Sequence, residues 1–300
     1  MKIITFLCSL LLIVETFAQL PTEKLLYSEG IKDNPISHPY KESYVDSLVH
    51  PNSLTGLNRV YSYVSEPTYM VFPADEKKNK HIGLVVFPGG GGRNIWLDKE
   101  GTDIALWLSQ QGITCMVVKY RINRRANNNI DGEFEIDYNV WKEAVLTDAQ
   151  QSMRTMKSLS DSFNFNKENV GVIGFSAGGF VTQLLTYGIY DKESDQFLET
   201  EKETTPTFAA LIYMGGSLDL HEKYKDHENL PPFFMAAASN DYRLNIKENI
   251  KYLARVAVTV PKSELHVYRD GGHGYGLGYD ENSSVKDWKN AFINWIDSLY

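Results

Sequence analysis

Four short and nearly unbroken apolar runs, Gly83 to Phe87, Ile113 to Tyr120, Val170 to Gly174 and Ala209 to Met214, dominate the middle of the chain. Each is rich in Val, Ile or Tyr, as expected of strands buried on both faces. Phe233 to Ala238 and Glu264 to Tyr268 repeat the pattern later. Helical periodicity fills the gaps. Asp98 to Gln111 is closed by Gly112, and Trp141 to Leu159 puts Val145, Ala149, Met153 and Met156 on one face. Ser284 to Leu299 carries a stripe of Trp288, Phe292, Trp295 and Leu299 behind a serine cap.

Strands alternating with helices at this spacing predict an α/β fold with a mostly parallel central sheet, helices on both faces, and chemistry at the carboxyl ends of the strands. Arg59 to Val64 and Thr68 to Phe72, parted by Glu66-Pro67, predict an antiparallel N-terminal edge in the form of a hairpin. Residues 19–57 hold Pro21, Pro35, Pro39 and Pro51 and no sustained period, so they are expected to be an extended lead-in to one catalytic domain at 58–300. The polar stretch Asp191 to Thr205 is expected to be a solvated insertion.

The start of the chain has a different origin. Met1-Lys2, the apolar run Ile3 to Val14 and the closing Thr16-Phe17-Ala18 have the layout of a secretory signal peptide at 1–18. The run is shorter than the roughly 20 residues a span needs, and Glu15 ends it. A secreted or periplasmic protein with no membrane span after signal removal is the expectation, with a retained anchor as the alternative. Cleavage there leaves Cys115 as the only thiol, placed in a predicted strand, so no intrachain disulfide is expected. At 300 residues and 43% hydrophobic the chain is an ordinary globular enzyme in composition. Its formal charge of −8, without a basic stripe, argues against nucleic acid as a partner.

The candidate chemistry sits where strands end. Gly174-Phe-Ser176-Ala-Gly178 follows one predicted strand and precedes the apolar helix Phe180 to Leu185, the context of a nucleophile elbow. There the hydroxyl of Ser176 projects from a tight turn, and the Ala177 amide sits at a helix N-terminus, where an oxyanion would form. Pro88-Gly-Gly-Gly-Gly92 ends an earlier strand. Its run of glycines can turn amides inward, and Gly90 and Gly91 are the expected further oxyanion donors. A phosphate-cradling loop lacks its Gly-Lys-Ser/Thr ending here.

The fold orders its triad as Ser, then Asp or Glu, then His. His273, in Asp270-Gly-Gly-His-Gly-Tyr-Gly276, is the one histidine late enough and in a suitable loop. Asp241 follows the strand Phe233 to Ala238 and is the preferred acid, with Asp219 as the alternative. His-Glu-x-x-His is absent, and His221 and His227 stand six apart in a lysine-rich loop, so neither metal nor cofactor is expected.

Four segments together resemble the secreted acetyl xylan esterase-like and feruloyl/acetyl esterase group of α/β hydrolases. They are Phe87 to Gly92, Glu100 to Leu108 running on to Val118 to Ile122, Val172 to Gly179, and Leu265 to Gly276. The resemblance covers roughly Asn58 to Tyr300 and implies removal of acetyl, and secondarily feruloyl, groups from xylan-type oligosaccharides without a cofactor. The family commonly has an aromatic residue after its third glycine, where this chain has Gly92. Trp96, Tyr242 and Tyr275 are aromatic candidates for stacking on sugar rings or for core packing. A general carboxylesterase or lipase shares the triad. A peptidase of the prolyl-oligopeptidase type usually brings a large propeller domain, which this chain does not carry, and a non-enzymatic module on the same fold would be expected to have lost part of the triad.

Overall fold

The computed structural model describes residues 20–123, 136–191, 193, 196–198, 201–214, 218–224 and 229–300. The signal peptide expected at 1–18 lies outside these residues.

The centre of the molecule is an eight-stranded sheet. Its strands are β1 (Lys24–Leu25), β4 (Thr68–Phe72), β5 (Ile82–Phe87), β7 (Ile113–Lys119), β8 (Val170–Phe175), β11 (Ala209–Ile212), β12 (Phe233–Ala238) and β13 (Glu264–Tyr268). They lie in the order β1-β4-β7-β5-β8-β11-β12-β13. From β7 to β13 every neighbouring pair is parallel, while β1 and β4 run antiparallel at one edge. Strands β5, β7, β8, β11 and β12 are buried along their whole length, which explains their unbroken apolar sequences.

Both faces are covered by helices. On one, α1 (Asp103–Gln110) and α6 (Trp288–Leu299) meet through the rings of Trp107 and Trp288, 5.6 Å apart. On the other lie α2 (Tyr138–Ser158), α3 (Ala177–Tyr187) and α5 (Ile246–Thr259), the last joined to α3 by a 2.8 Å bond from Gln183 Nε2 to the Tyr252 hydroxyl. Asp137 caps α2 by accepting the amides of Asn139 and Val140. A short helix, α4 (Leu218–Lys223), follows β11. Among the described residues no helix is long and apolar enough to cross a membrane.

The N-terminal edge differs from the expected hairpin. β4 joins the main sheet, whereas β3 (Arg59–Ser62) pairs with β2 (Ser43–Asp46) and β6 (Ile95–Trp96) in a separate three-stranded sheet. Tyr63, at φ 61°, breaks the extended backbone directly after β3, so the two strands part. The segment at 20–57 is not an arm standing off the fold. It contributes β1 and β2, buries Leu26 and Ile36, and is tied down by long-range polar contacts. The Tyr27 hydroxyl donates to Asp148 at 2.9 Å, Arg121 donates to Asn34 at 3.0 Å, and Lys119 bonds Glu42. Within the stretch at 191–205, β9 (Ile189–Asp191) and β10 (Gln196–Leu198) form an antiparallel pair, and a helical turn follows at Lys202–Thr204.

Candidate active site

The end of β8 is where local sterics dictate geometry. Ser176 sits between β8 and α3 at φ 50° and ψ −115°, a conformation serine avoids. Its neighbours impose it. A side chain on Gly178 would run into the Phe87 carbonyl of the adjacent strand, and one on Gly174 into Gly178, so both positions require glycine for close packing. The Ser176 amide is held at 3.0 Å by the Ile212 carbonyl of β11, and the Ser176 carbonyl accepts the Gly179 amide at 2.9 Å as α3 begins.

His273 and Asp241 reach this serine from the ends of β13 and β12, with β11 lying between β12 and β8. Ser176 Oγ lies 2.8 Å from His273 Nε2, and His273 Nδ1 lies 2.8 Å from Asp241 Oδ2. Asp241 Oδ1 accepts the Arg243 amide at 2.8 Å, so both carboxylate oxygens are engaged and the carboxylate is fully buried. The loops that carry acid and base are fastened to each other. The Ser239 amide donates to the Tyr268 carbonyl at 2.8 Å, and the Gly272 amide donates to Asn240 Oδ1 at 2.8 Å. From behind, the Tyr213 ring meets His273 edge-on at 5.1 Å. Trp288, buried at the start of α6, donates from Nε1 to the Gly276 carbonyl at 3.0 Å and so anchors the far end of the histidine loop.

The glycine loop after β5 forms the opposite wall. Gly90, at φ 143°, lies so close to the Asn94 carbonyl that any side chain would collide with it, and its own carbonyl accepts the Arg93 and Asn94 amides. The Gly90, Gly91 and Ala177 amides donate to no acceptor among the described residues, which leaves them free for a ligand oxygen. The Gly89 amide does not belong to this set, because it donates to Glu100 Oε2 at 2.8 Å. A Cβ at Gly92 would lie 3.2 Å from the Trp141 ring, itself stacked on Phe180 at 5.9 Å, so Trp141 already occupies the space beside that position.

These groups open onto a cleft of about 690 Å³, lined by Gly90, Gly91, Trp96, Ser176, Tyr242 and His273 among others. Two of the three aromatic candidates, Trp96 and Tyr242, therefore face the cleft, and Tyr242 is largely exposed. Tyr275 is buried with its ring 4.4 Å from Tyr213, a core contact.

The structure brings Ser176, His273 and Asp241 together and places Gly90 and Gly91 in the wall of the same cleft. Asp219 is on α4, at the end of a different strand, and its side chain lies outside the described residues. His221 is buried between the Tyr187 and Thr259 hydroxyls, at 2.8 and 2.9 Å, and His227 lies outside the described residues. Among the described residues no cluster of three or more His, Cys, Asp or Glu side chains is placed to hold a metal ion. Cys115 is fully buried, and burial pushes its thiol far above the ordinary value, consistent with an unreactive packing residue.

Sequence reasoning missed Glu100, Tyr213 and Trp288 as supports of the site. Glu100 is buried, braces the glycine loop through Gly89 and lies close to Tyr213. Its position within the segment Glu100 to Leu108, part of the family resemblance, is the one signal that pointed to it.

The α/β-hydrolase fold appears in solved structures. An acetyl ester-xyloside bifunctional hydrolase from Caldicellulosiruptor lactoaceticus superposes with a TM-score of 0.62 at 23% identity, covering 93% of this chain and 97% of that one. An esterase from Thermogutta terrifontis gives a TM-score of 0.57 at 14% identity, covering 80% of this chain and 94% of that one. In sequence, an acetylxylan esterase of Xylanibacter ruminicola is 25% identical over 223 residues, which is 65% of this chain and 41% of that relative. This chain thus spans well under half the length of that relative. The BD-FAE family model matches residues 71–252, a stretch longer than half the chain that holds the glycine loop, the serine elbow and Asp241. By that match the chain belongs to the BD-FAE family of α/β hydrolases.

Proposed function

We propose that this protein is a carboxylic ester hydrolase that removes acetyl groups, and feruloyl groups as a second acyl class, from xylan-type polysaccharides or oligosaccharides. The observation that carries this reading is the unbroken hydrogen-bond chain Ser176–His273–Asp241, opening onto a cleft beside three unengaged amides. Family membership and the likeness to an acetylxylan esterase support the choice of acyl group and polymer.

The chemistry follows from the distances. His273 Nε2 takes the Ser176 proton as Oγ bonds to the ester carbonyl carbon, and the carbonyl π electrons move to oxygen. The oxyanion forms against the Gly90, Gly91 and Ala177 amides, each such donor contributing on the order of 3 kcal/mol to barrier lowering. Asp241 accepts from Nδ1, fixes the tautomer and offsets the imidazolium charge. When the carbonyl re-forms, the sugar oxygen leaves with the proton from Nε2, and Ser176 carries the acyl group. Water then repeats the sequence, with His273 as base, to release the acid and restore Ser176. The signal-like residues at 1–18 support a secreted or periplasmic setting for this activity.

The test is release of acid from acetylated xylo-oligosaccharides, methyl ferulate and medium- and long-chain 4-nitrophenyl esters by the parent and by Ser176→Ala. The expected result is acetate release that falls by about 10⁴-fold or more in the variant. Hydrolysis of long-chain esters alone would replace the carbohydrate reading with a lipase one, and equal rates in both proteins would remove Ser176 from the mechanism.

A further inference from the structure

Beside the cleft that holds Ser176 lies a second, larger one of about 890 Å³ that the acyl chemistry does not use. The two share Trp96, Lys99, Tyr242 and Gly274, so they adjoin at those residues, with Ser176 and His273 lining the smaller one. The far wall comes from the N-terminal lead-in, residues 47–58, and the floor from the loop at 270–285.

The lead-in wall is built rather than draped. The Ser47 amide donates to the Asn58 carbonyl at 2.8 Å, and Asn58 Nδ2 donates to the Leu48 carbonyl at 2.7 Å, closing residues 47–58 into a compact Ω-shaped loop. Asp103, buried at the start of α1, pins that loop by accepting the Thr55 amide at 2.8 Å and the Thr55 hydroxyl at 2.6 Å, and it also bonds the Tyr279 hydroxyl. Asn52 Nδ2 donates to the Tyr279 carbonyl at 3.2 Å, and the His50 ring stacks on the Tyr279 ring at 4.9 Å and 15°.

The lining matches one kind of occupant. It holds the rings of Trp96, His50 and Tyr242, neutral polar groups from Asn240, Asn282 and Ser53, and apolar side chains such as Leu48, Val49 and Leu57. It also carries four charged residues, Lys99, Asp103, Asp270 and Asp280, the last accepting the Asn282 amide at 2.9 Å. Asp103 is bonded as above, Asp270 accepts from Ser283 and Ser284, and Lys99 Nζ lies 4.3 Å over the Trp96 ring. Asn58, which also lines the groove, is buried, and its Oδ1 has no donor among the described residues. Ring faces stack on the C–H faces of sugars, and neutral amides and hydroxyls match sugar hydroxyls.

We propose that this second cleft is a glycan subsite, in which the lead-in loop and the loop at 270–285 hold the neutral sugar chain that carries the scissile ester. The assignment rests on the esterase reading for its direction, since the triad marks where the ester lies, and it extends that reading to selection by chain length.

Two measurements test it. The first compares kcat/KM for acetylated xylose and acetylated xylotetraose in the parent, in His50→Ala and in Asn282→Ala, which alters the other wall. The parent is expected to prefer the longer substrate by tenfold or more through KM, and each variant is expected to lose at least fivefold of that preference. A parent that cleaves 4-nitrophenyl acetate and both sugar esters without chain-length preference overturns the subsite while leaving the esterase intact. The second follows tryptophan fluorescence of Ser176→Ala on titration with xylotetraose or mannotetraose, which reads the groove without turnover. Saturable binding weakened at least fivefold by His50→Ala supports the subsite even if no ester is cleaved, whereas no saturable change with either sugar overturns it.

Discussion

Two fully buried carboxylates, Asp148 and Asp241, hold opposite kinds of partner, and the contrast separates the supporting half of the molecule from its reactive half. Asp148, on α2, is enclosed by the Arg121 guanidinium at 2.7 Å, the Arg121 amide at 3.0 Å and the Tyr27 hydroxyl at 2.9 Å. Burial pushes its carboxyl upward while Arg121 pulls the other way, and the outcome is a fixed charge pair that no ligand reaches. Asp241 has one backbone amide and one imidazole. Its partner can change protonation state, and that is what a catalytic cycle needs. Arginine fastens, whereas histidine is free to turn over.

The sharpest way to break this contrast is to neutralise each acid in turn. Asp241→Asn is expected to lower kcat by about 10³- to 10⁴-fold, because the amide no longer selects the productive tautomer, with little change in Tm. Steady-state kinetics beside a thermal melt checks both halves of that statement. Asp148→Asn should do the reverse. It leaves Arg121 as an uncompensated buried cation and is expected to cost about 3–5 kcal/mol in a urea titration, with near-parent kcat in the protein that stays folded. Equal effects of the two substitutions on rate would erase the distinction.

Glu100 falls between the two, being buried and structural yet one residue removed from the oxyanion loop through Gly89. Glu100→Ala is expected to lower kcat by about 10²-fold with KM within about twofold, and Glu100→Gln to restore most of the loss by again accepting the Gly89 amide. A loss confined to KM, or no rescue by glutamine, would count against a positioning role.

The smallest effect concerns Asp270, whose carboxylate accepts the Ser284 amide at 2.6 Å and the Ser283 and Ser284 hydroxyls beside the histidine loop. These bonds, above all that from the Ser284 amide, together with one from the Arg269 guanidinium at 3.0 Å, hold its carboxyl far below the ordinary value. A depressed folded-state pKa means the unfolded chain binds more protons, so the stabilisation is complete above the ordinary pKa of about 3.9 and fades as pH falls below it. Asp270→Asn is therefore expected to lower Tm by a few degrees at pH 7 and to flatten the fall of Tm below about pH 4. An unchanged acid limb would show that other carboxylates govern it.

What could be read from the sequence follows the range of the forces involved. The serine elbow is a local steric problem, so Gly174, Ser176 and Gly178 announce it within five residues. The central strands are buried on both faces, so composition alone marks them. His273 and Asp241 were legible because the fold orders them along the chain. Glu100 was not singled out, since a buried glutamate in a polar turn looks like any solvated one until Gly89 and Tyr213 are seen beside it. The lead-in was opaque for a related reason. β1 has two residues and β2 is exposed throughout, so neither leaves a hydrophobic period, and β1 finds its partner more than forty residues later. The separation of β3 from β4 likewise depends on partners that periodicity does not name. Helix α5, with Tyr252, Leu253 and Val256 inward, did carry a readable stripe and is absent from the expected elements.

The contacts that seat the lead-in have a consequence for how the molecule comes into being. Tyr27 waits for Asp148, 121 positions later, Asn34 for Arg121, 87 later, and Glu42 for Lys119, 77 later. This stretch precedes those partners by 77 to 121 residues, so its longest-range contacts close only after the residues between have been made. The contacts that fasten this stretch are thus among the last to close, and the wall it builds is finished only after Asp103 and Tyr279, on which it leans, are in place.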